Sequence, residues 1–250
     1  MKSIFIACGN FFFHHRNRVF PLLMLAGVVL VRPRFPAGSY RADLALDVLG
    51  VLVCLAGQAL RVIAIGYDYI KRGGKQKQIW AGRLVQGGLF AHSRNPLYLG
   101  NILIFCGMVL IFSAPIAYAI GIPSVLFIYA CIILAEEKFL RAKFGPEYED
   151  YANRVNRLWP NWTGFSDSIC RMVFRWKRVL NKEYGTTFAW IAAAIGLRAW
   201  TLHLASQELY RTEIAGLLIL LFPLATWYIW VRWLKKSGRL ADDDLTTVDG

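Results

Sequence analysis

The sequence predicts an all-α protein, a polytopic membrane bundle of about six transmembrane helices. Three observations carry this. The chain is 56% hydrophobic and 14% aromatic over 250 residues, with a mean hydropathy of +0.41, which is too apolar for a soluble domain of this length. Its apolar runs approach the roughly 20 residues that a helix needs to cross a bilayer. The net charge of +13 sits between those runs, with no basic helix or RNA-binding signature. It therefore reads as topology determinants and contacts to anionic headgroups, and nucleic acid is excluded as a partner.

Met1 to Arg18 begins like a secretory signal, but Asn10 and His14-His15-Arg16-Asn17-Arg18 interrupt it before any cleavage pattern. It reads as a retained amphipathic arm anchored by Phe11-Phe12-Phe13. Val19 to Val31 is short for a span, so the first membrane helix extends toward Phe35 or starts near Asn17, and Pro33 and Pro36 close it. Leu44 to Gly66 is a clearer span, in which Gly50 and Gly57 fall on one face and admit close approach of another helix. Arg61, near its end, either snorkels to the surface or reaches a polar cavity. Tyr67 to Leu89 is polar, with Lys71, Arg72, Lys75, Lys77 and Arg83. Its Gly73-Gly74 and Gly87-Gly88 lack the Gly-Lys-Ser ending of a phosphate cradle.

Leu97 to Phe112 and Pro115 to Ala135 are nearly free of charge and separated only by Ser113-Ala114. The chain is expected to cross and return as a hairpin, bringing the Arg94 end and the Glu136 end together. Lys138, Arg141, Lys143, Arg154, Arg157, Arg171, Arg175, Lys177, Arg178 and Lys182 follow. By the positive-inside rule, this segment and Lys71 to Arg94 both face the cytoplasm. Thr186 to Leu204 and Ile214 to Leu234 give two further spans. The resulting arrangement suits every loop except the first, where Arg32, Arg34 and Arg41 count against it. The tail Ala241 to Gly250 is polar and expected to be disordered. Cys8, Cys54, Cys106, Cys131 and Cys170 show no metal-ligand spacing, so reduced thiols and no structural metal are expected. The chain divides into 1–81 (arm and first two spans), 82–162 (core with the hairpin) and 163–250 (basic segment, two spans and acidic tail).

The 82–162 core carries an ordered set of motifs: Gly88-x-Phe90, Arg94-Asn95-Pro96-x-Tyr98-x-Gly100, Glu136-Glu137, Phe144-Gly145-x-Glu147-Tyr148-x2-Tyr151 and Arg157-x2-Pro160. This set resembles the isoprenylcysteine carboxyl methyltransferase and phospholipid methyltransferase group. The resemblance implies an integral membrane methyltransferase that faces the cytoplasm and uses S-adenosyl-L-methionine on a hydrophobic or lipid acceptor. By position it implies cofactor contacts at Gly82, Arg83, Leu84, Val85, Phe90, Asn95, Pro96, Leu97, Tyr98 and Glu136. In this scheme Arg94, Asn95 and Glu136 are catalytic, and Arg61, Arg154 and Arg157 contact substrate. Glu136 would pair with the donor's ammonium, Arg94 or amides near Asn95 would hold its carboxylate, and Phe90 and Tyr98 would flank adenine. Glu137 is expected to be exposed. Asn95 stands where the carboxyl methyltransferases carry histidine, and Asn-Pro before Tyr98 is the phospholipid amine form. No arginine precedes the paired glutamates, where Cys131-Ile132-Ile133-Leu134 stands. Two other readings stay open: an NADPH-dependent reductase of a membrane lipid, whose relatives share the Arg-x-Pro-x-Tyr region, and a non-catalytic lipid-binding protein of the same fold. The sequence does not choose an oligomeric state.

Overall fold

The computed structural model describes residues 2–68, 79, 81–170, 172–206 and 208–240. The expectations placed on Lys71, Arg72, Gly73, Gly74, Lys75, Lys77, Arg171 and the tail Ala241–Gly250 lie outside the described residues.

Helix is the only regular structure among the described residues: α1 (Lys2–Leu30), α2 (Tyr40–Tyr67), α3 (Pro96–Ile111), α4 (Ile122–Phe144, entered through a π turn at Ala117–Gly121), α5 (Pro146–Arg154), α6 (Phe165–Ile169), α7 (Trp176–Ser206), α8 (Arg211–Ile219) and α9 (Leu221–Lys236). Four helical stretches are long and apolar enough to cross a membrane: Tyr40–Tyr67, Ala117–Phe144, Trp176–Ser206 and Arg211–Lys236. Two of the six expected spans differ. The arm and the first span are one continuous helix, because Phe13, Phe20 and Met24 pack onto α3 and α4, and Phe20 stacks on Tyr129 at 5.1 Å. α3, at 16 residues, is about 24 Å long, below a full crossing.

The centre of the bundle is the α2–α3 pair. A Cβ on Gly50 would lie 2.6 Å from the Gly107 carbonyl oxygen, and one on Gly57 would lie 2.5 Å from that of Gly100. Glycines seven residues apart on one helix therefore face glycines seven apart on the other, and the backbones touch. After α3 the chain turns at Ser113, whose φ is +50°, and the Ser113 carbonyl accepts the Arg34 N–H at 3.1 Å.

Charged pairs tie α7 to α2 at both ends. Near the start of α7, Glu183 takes Arg61 in a two-pronged pair at 2.8 and 2.6 Å. Near its end, Arg198 bonds Asp43, lies 2.8 Å from Asp47, and reaches Glu213 of α8 at 3.1 Å. α7 thus runs antiparallel to α2, and α8 and α9 dock mainly on α7.

Candidate active site

The start of α3 is fixed by a strap of chain from 156 to 161. The Arg94 N–H donates to the Asn156 carbonyl at 2.9 Å, Asn95 Nδ2 to the Arg157 carbonyl at 2.9 Å, Ser93 Oγ to the Leu158 carbonyl at 2.7 Å, and the Asn161 N–H to the His92 carbonyl at 3.0 Å. Pro96, at the first helical position, gives up no N–H that the helix would need. His92 is buried between the strap and α6, with Nδ1 on the Asn161 carbonyl and Nε2 2.8 Å from Ser168 Oγ. The Tyr151 hydroxyl donates to the Phe90 carbonyl at 2.7 Å, so α5 closes over the same segment. Among the described residues these bonds account for the sequence pairing of Arg-Asn-Pro with the later Tyr and Arg-x2-Pro.

Glu136 and Glu137 sit on α4 where it passes the start of α3. The Tyr98 hydroxyl donates to Glu136 Oε1 at 2.6 Å. Glu137 is 2% exposed, contrary to the exposed position expected. Arg157 grips both of its oxygens at 2.9 Å, and Arg94 approaches at 3.5 Å. The reason is α4's length: it continues past the apolar run to Phe144, so the glutamates lie beneath the strap and not in headgroup water. Lys143 at its end bonds the Ala81 carbonyl.

Two cavities meet here. A narrow cleft of about 40 Å³ is lined by Arg83, Leu84, Val85, Arg94, Asn95, Glu136, Glu137 and Tyr148, among others. Arg94 Nε and the Tyr148 hydroxyl are buried in its wall without hydrogen-bond partners. Burial, and secondarily Glu137, pushes the Tyr148 phenol up to about 12. The second cavity, about 820 Å³, is lined by α1, α2, α3, α4 and α7 and includes Tyr98, Arg61 and Glu183. Tyr98 borders the second cavity and Glu136 the first, so one hydrogen bond separates the two.

Of the positions implied by resemblance, Arg83, Leu84, Val85, Asn95 and Glu136 line the cleft, together with Arg94. Leu97 and Tyr98 line the second cavity, as does Arg61. Phe90 is 1% exposed in a core with Ala64, Ile65 and Leu89, away from both. Gly82 and Pro96 line neither, and Arg83 is held by Asp68 at 2.7 Å. Arg154 is exposed and reaches Gln86 at 3.4 Å, whereas Arg157 touches the site through Glu137. Sequence reasoning missed Glu183, Gln58 and Trp190. Gln58 donates to Glu183 at 3.2 Å and accepts from Trp190 Nε1 at 3.0 Å, completing the polar cluster around Arg61. A glutamate entering an apolar run was the only signal for it.

The phospholipid methyltransferase family model matches residues 46–147. The protein-S-isoprenylcysteine O-methyltransferase of Saccharomyces cerevisiae (strain ATCC 204508 / S288c) is 32% identical over 113 residues, 43% of this chain and 46% of the relative. The chain thus spans about half the length of the curated relative it matches. No solved structure matches. The family-model match runs from within α2 through α3 to both glutamates of α4, so the likeness to phospholipid methyltransferases and to the yeast isoprenylcysteine O-methyltransferase is a similarity over part of the chain.

Proposed function

We propose that this chain transfers a methyl group from S-adenosyl-L-methionine to an amphiphilic acceptor at the membrane surface. The observation that carries the reading is the meeting of a polar cleft and a larger, membrane-facing cavity at the Tyr98–Glu136 pair. The cleft's chemistry fits the amino-acid end of the donor. Arg94 Nε and the Tyr148 hydroxyl are buried donors in need of an acceptor, which a carboxylate supplies. The Glu136 carboxylate suits an ammonium, and Leu84, Val85 and Leu140 give an apolar wall suited to adenine. When bound, the donor supplies an electrophilic methyl on a sulfonium.

The chain's own part is positioning, which can supply much of the acceleration in a displacement of this kind. The strap and Arg157 hold Arg94, Asn95 and Glu137 in place, and Tyr98 fixes the rotamer of Glu136 at the boundary between the reactants. The yeast relative is named for a lipophilic acceptor, which accords with the apolar second cavity. In the membrane arrangement we propose, α1 and the shorter α3, which pairs with α4 as a hairpin, add to the four long apolar stretches to give six crossings. The cleft then faces the cytoplasm, as Lys138, Arg141, Lys143 and Arg157 around it favour. Cys170 is exposed on that side. An impermeant maleimide is expected to reach it in inverted vesicles; labelling from outside intact cells would reverse the orientation.

Calorimetry on the purified protein tests the activity class. It is expected to bind S-adenosyl-L-methionine in preference to NADPH. Glu136→Gln is expected to weaken that binding about tenfold to a hundredfold, the equivalent of roughly 1.5–3 kcal/mol for a charge-assisted hydrogen bond. Tight NADPH binding with none of the sulfonium would move the chain to the reductase reading.

A further inference from the structure

The strap that fixes the start of α3 has an outer side that the site does not use. Leu158 turns inward and packs on the α3–α4 core. The next residue, Trp159, turns outward, and Trp162, Val173 and Trp176 follow it to the surface, all four between 52% and 75% exposed. Tryptophan is highly buried on average, yet three open indoles fall within one stretch of 18 residues, 159–176.

These indoles are held in place from within. Trp162 meets Phe165 at 5.4 Å, and Phe165 meets His92 at 5.4 Å. Trp176 meets Phe174 at 4.4 Å, and Phe174 meets Tyr67 at 5.1 Å. Two aromatic ladders thus run outward, one from the residue that the strap bonds and one from the end of α2. The second is also pinned by main chain, because the Gly66 carbonyl accepts from the Arg175 N–H and from Arg178 Nη2, both at 2.9 Å.

Helix geometry sets the level of this side. Arg61 pairs with Glu183 18 residues along α2 from Asp43, about 27 Å away, so with Asp43 near one face of the roughly 30 Å hydrocarbon layer the pair stands near the other. Trp176 precedes Glu183 by seven residues, about 10 Å further out. The strap stands at a similar height: it bonds residues 92–95, just before Leu97, whose carbonyl Arg61 reaches at 3.5 Å. Headgroups occupy roughly 5–8 Å beyond each face of the hydrocarbon, so 159–176 runs along the outer part of that layer. Tryptophan suits this level, since its ring is apolar and its N–H stays wet.

We propose that residues 159–176 form a docking surface for the lipid headgroup layer, with Trp159, Trp162, Val173 and Trp176 seated among the headgroups. The inner side of the same strap holds Arg94 and Asn95, so seating the outer side on the membrane steadies the mouth of the cleft. This requires α2 and α7 to cross the membrane, but neither methyl transfer nor a particular side as cytoplasmic.

The test uses the whole protein in nanodiscs of neutral phosphatidylcholine, one copy per disc, without a methyl donor. Tryptophan emission is quenched in turn by phosphatidylcholine with a nitroxide on its headgroup, by phosphatidylcholine with a nitroxide at the end of a tail, and by iodide in the water. The share of each indole is the difference between wild type and Trp159→Phe, Trp162→Phe or Trp176→Phe. All three shares are expected to be quenched most by the headgroup nitroxide. Stronger quenching by iodide would make the surface a water-facing one and overturn the proposal, and so would stronger quenching by the tail nitroxide. Headgroup quenching that appears only in discs carrying two copies would make it a contact between copies, with the same result. In the double variant Trp159→Ser, Trp162→Ser, hydrogen exchange at the Arg94 and Asn161 amides, which close the strap, is expected to quicken about tenfold through easier local opening. If that variant unfolds at the wild-type temperature and keeps both amides as slow as before, the link from membrane to strap is overturned. Because no donor is present, a protein that bound no S-adenosyl-L-methionine would lose the methyl-transfer reading and keep this surface.

Discussion

Tyr148 lies on α5, 1% exposed, with its hydroxyl unbonded in the cleft wall. Burial, with Glu137 adding to it, raises its phenol from 10.0 to about 12. The folded protein therefore holds this proton more tightly than the unfolded chain does. Its contribution to stability is complete below about pH 10 and is lost as pH rises toward 12. Two units correspond to roughly 2–3 kcal/mol. Tyr148→Phe is expected to flatten stability against pH between 10 and 12 relative to wild type, measured by thermal unfolding in detergent; an unchanged slope would remove Tyr148 as its source. Tyr148 and Glu136 were both legible as members of a motif. The burial of Glu137 was not, because a glutamate pair at the end of an apolar run looks the same whether it meets headgroup water or a strap that returns from residue 157.

The α2–α3 pair shows what spacing alone can carry. Gly50 and Gly57 point to a close helix contact from sequence, and the partner proves to be α3 through Gly107 and Gly100. A methyl at Gly57 has backbone as its neighbour, so it cannot be accommodated by a side-chain rotation. Overpacking of this kind costs ~1–3 kcal/mol, and each kcal/mol lowers Tm by roughly 2–4 °C in a chain of this size. Gly57→Ala is expected to show that loss, whereas Gly196→Ala, with nothing within 4 Å, is expected to be neutral; equal Tm values for the two would sink the argument. α1 shows where pattern reading ends. Asn10, His14 and Arg16 break the apolar run, yet the helix continues because Phe13 and Phe20 find partners on α3 and α4, about 80 to 120 residues away.

Across the molecule, α2 and α7 carry opposite charges in matching order: Asp43 and Arg61 on one, Arg198 and Glu183 on the other. Asp43 and Arg61 are 18 residues apart, about 27 Å along the helix, close to the hydrocarbon thickness. The ties thus stand near the two faces of the membrane. Removing one partner of a buried pair strands the other charge. Arg61→Glu and Glu183→Arg are each expected to lower thermal stability markedly, and the double exchange to recover part of the loss, with a coupling of roughly 0.5–3 kcal/mol. Additive damage would show that the pair does not act as a unit. Glu183 was invisible to motif reading because it lies 122 residues from Arg61 and outside the segment 46–147 that the family model matches.

The same ties bear on how the chain is made. α7 is the least apolar of the four stretches long and apolar enough to cross a membrane, and it carries Glu183 and Arg198 toward its two ends. Its partners are on α2, synthesised more than a hundred residues earlier. A seventh helix threaded upside down would set Glu183 against Asp43 and Arg198 against Arg61. The charge order on α2 thus favours one direction of α7, and α8 and α9, docked mainly on α7, take their places from it, with Glu213 of α8 also accepting from the Tyr40 hydroxyl of α2 at 2.9 Å.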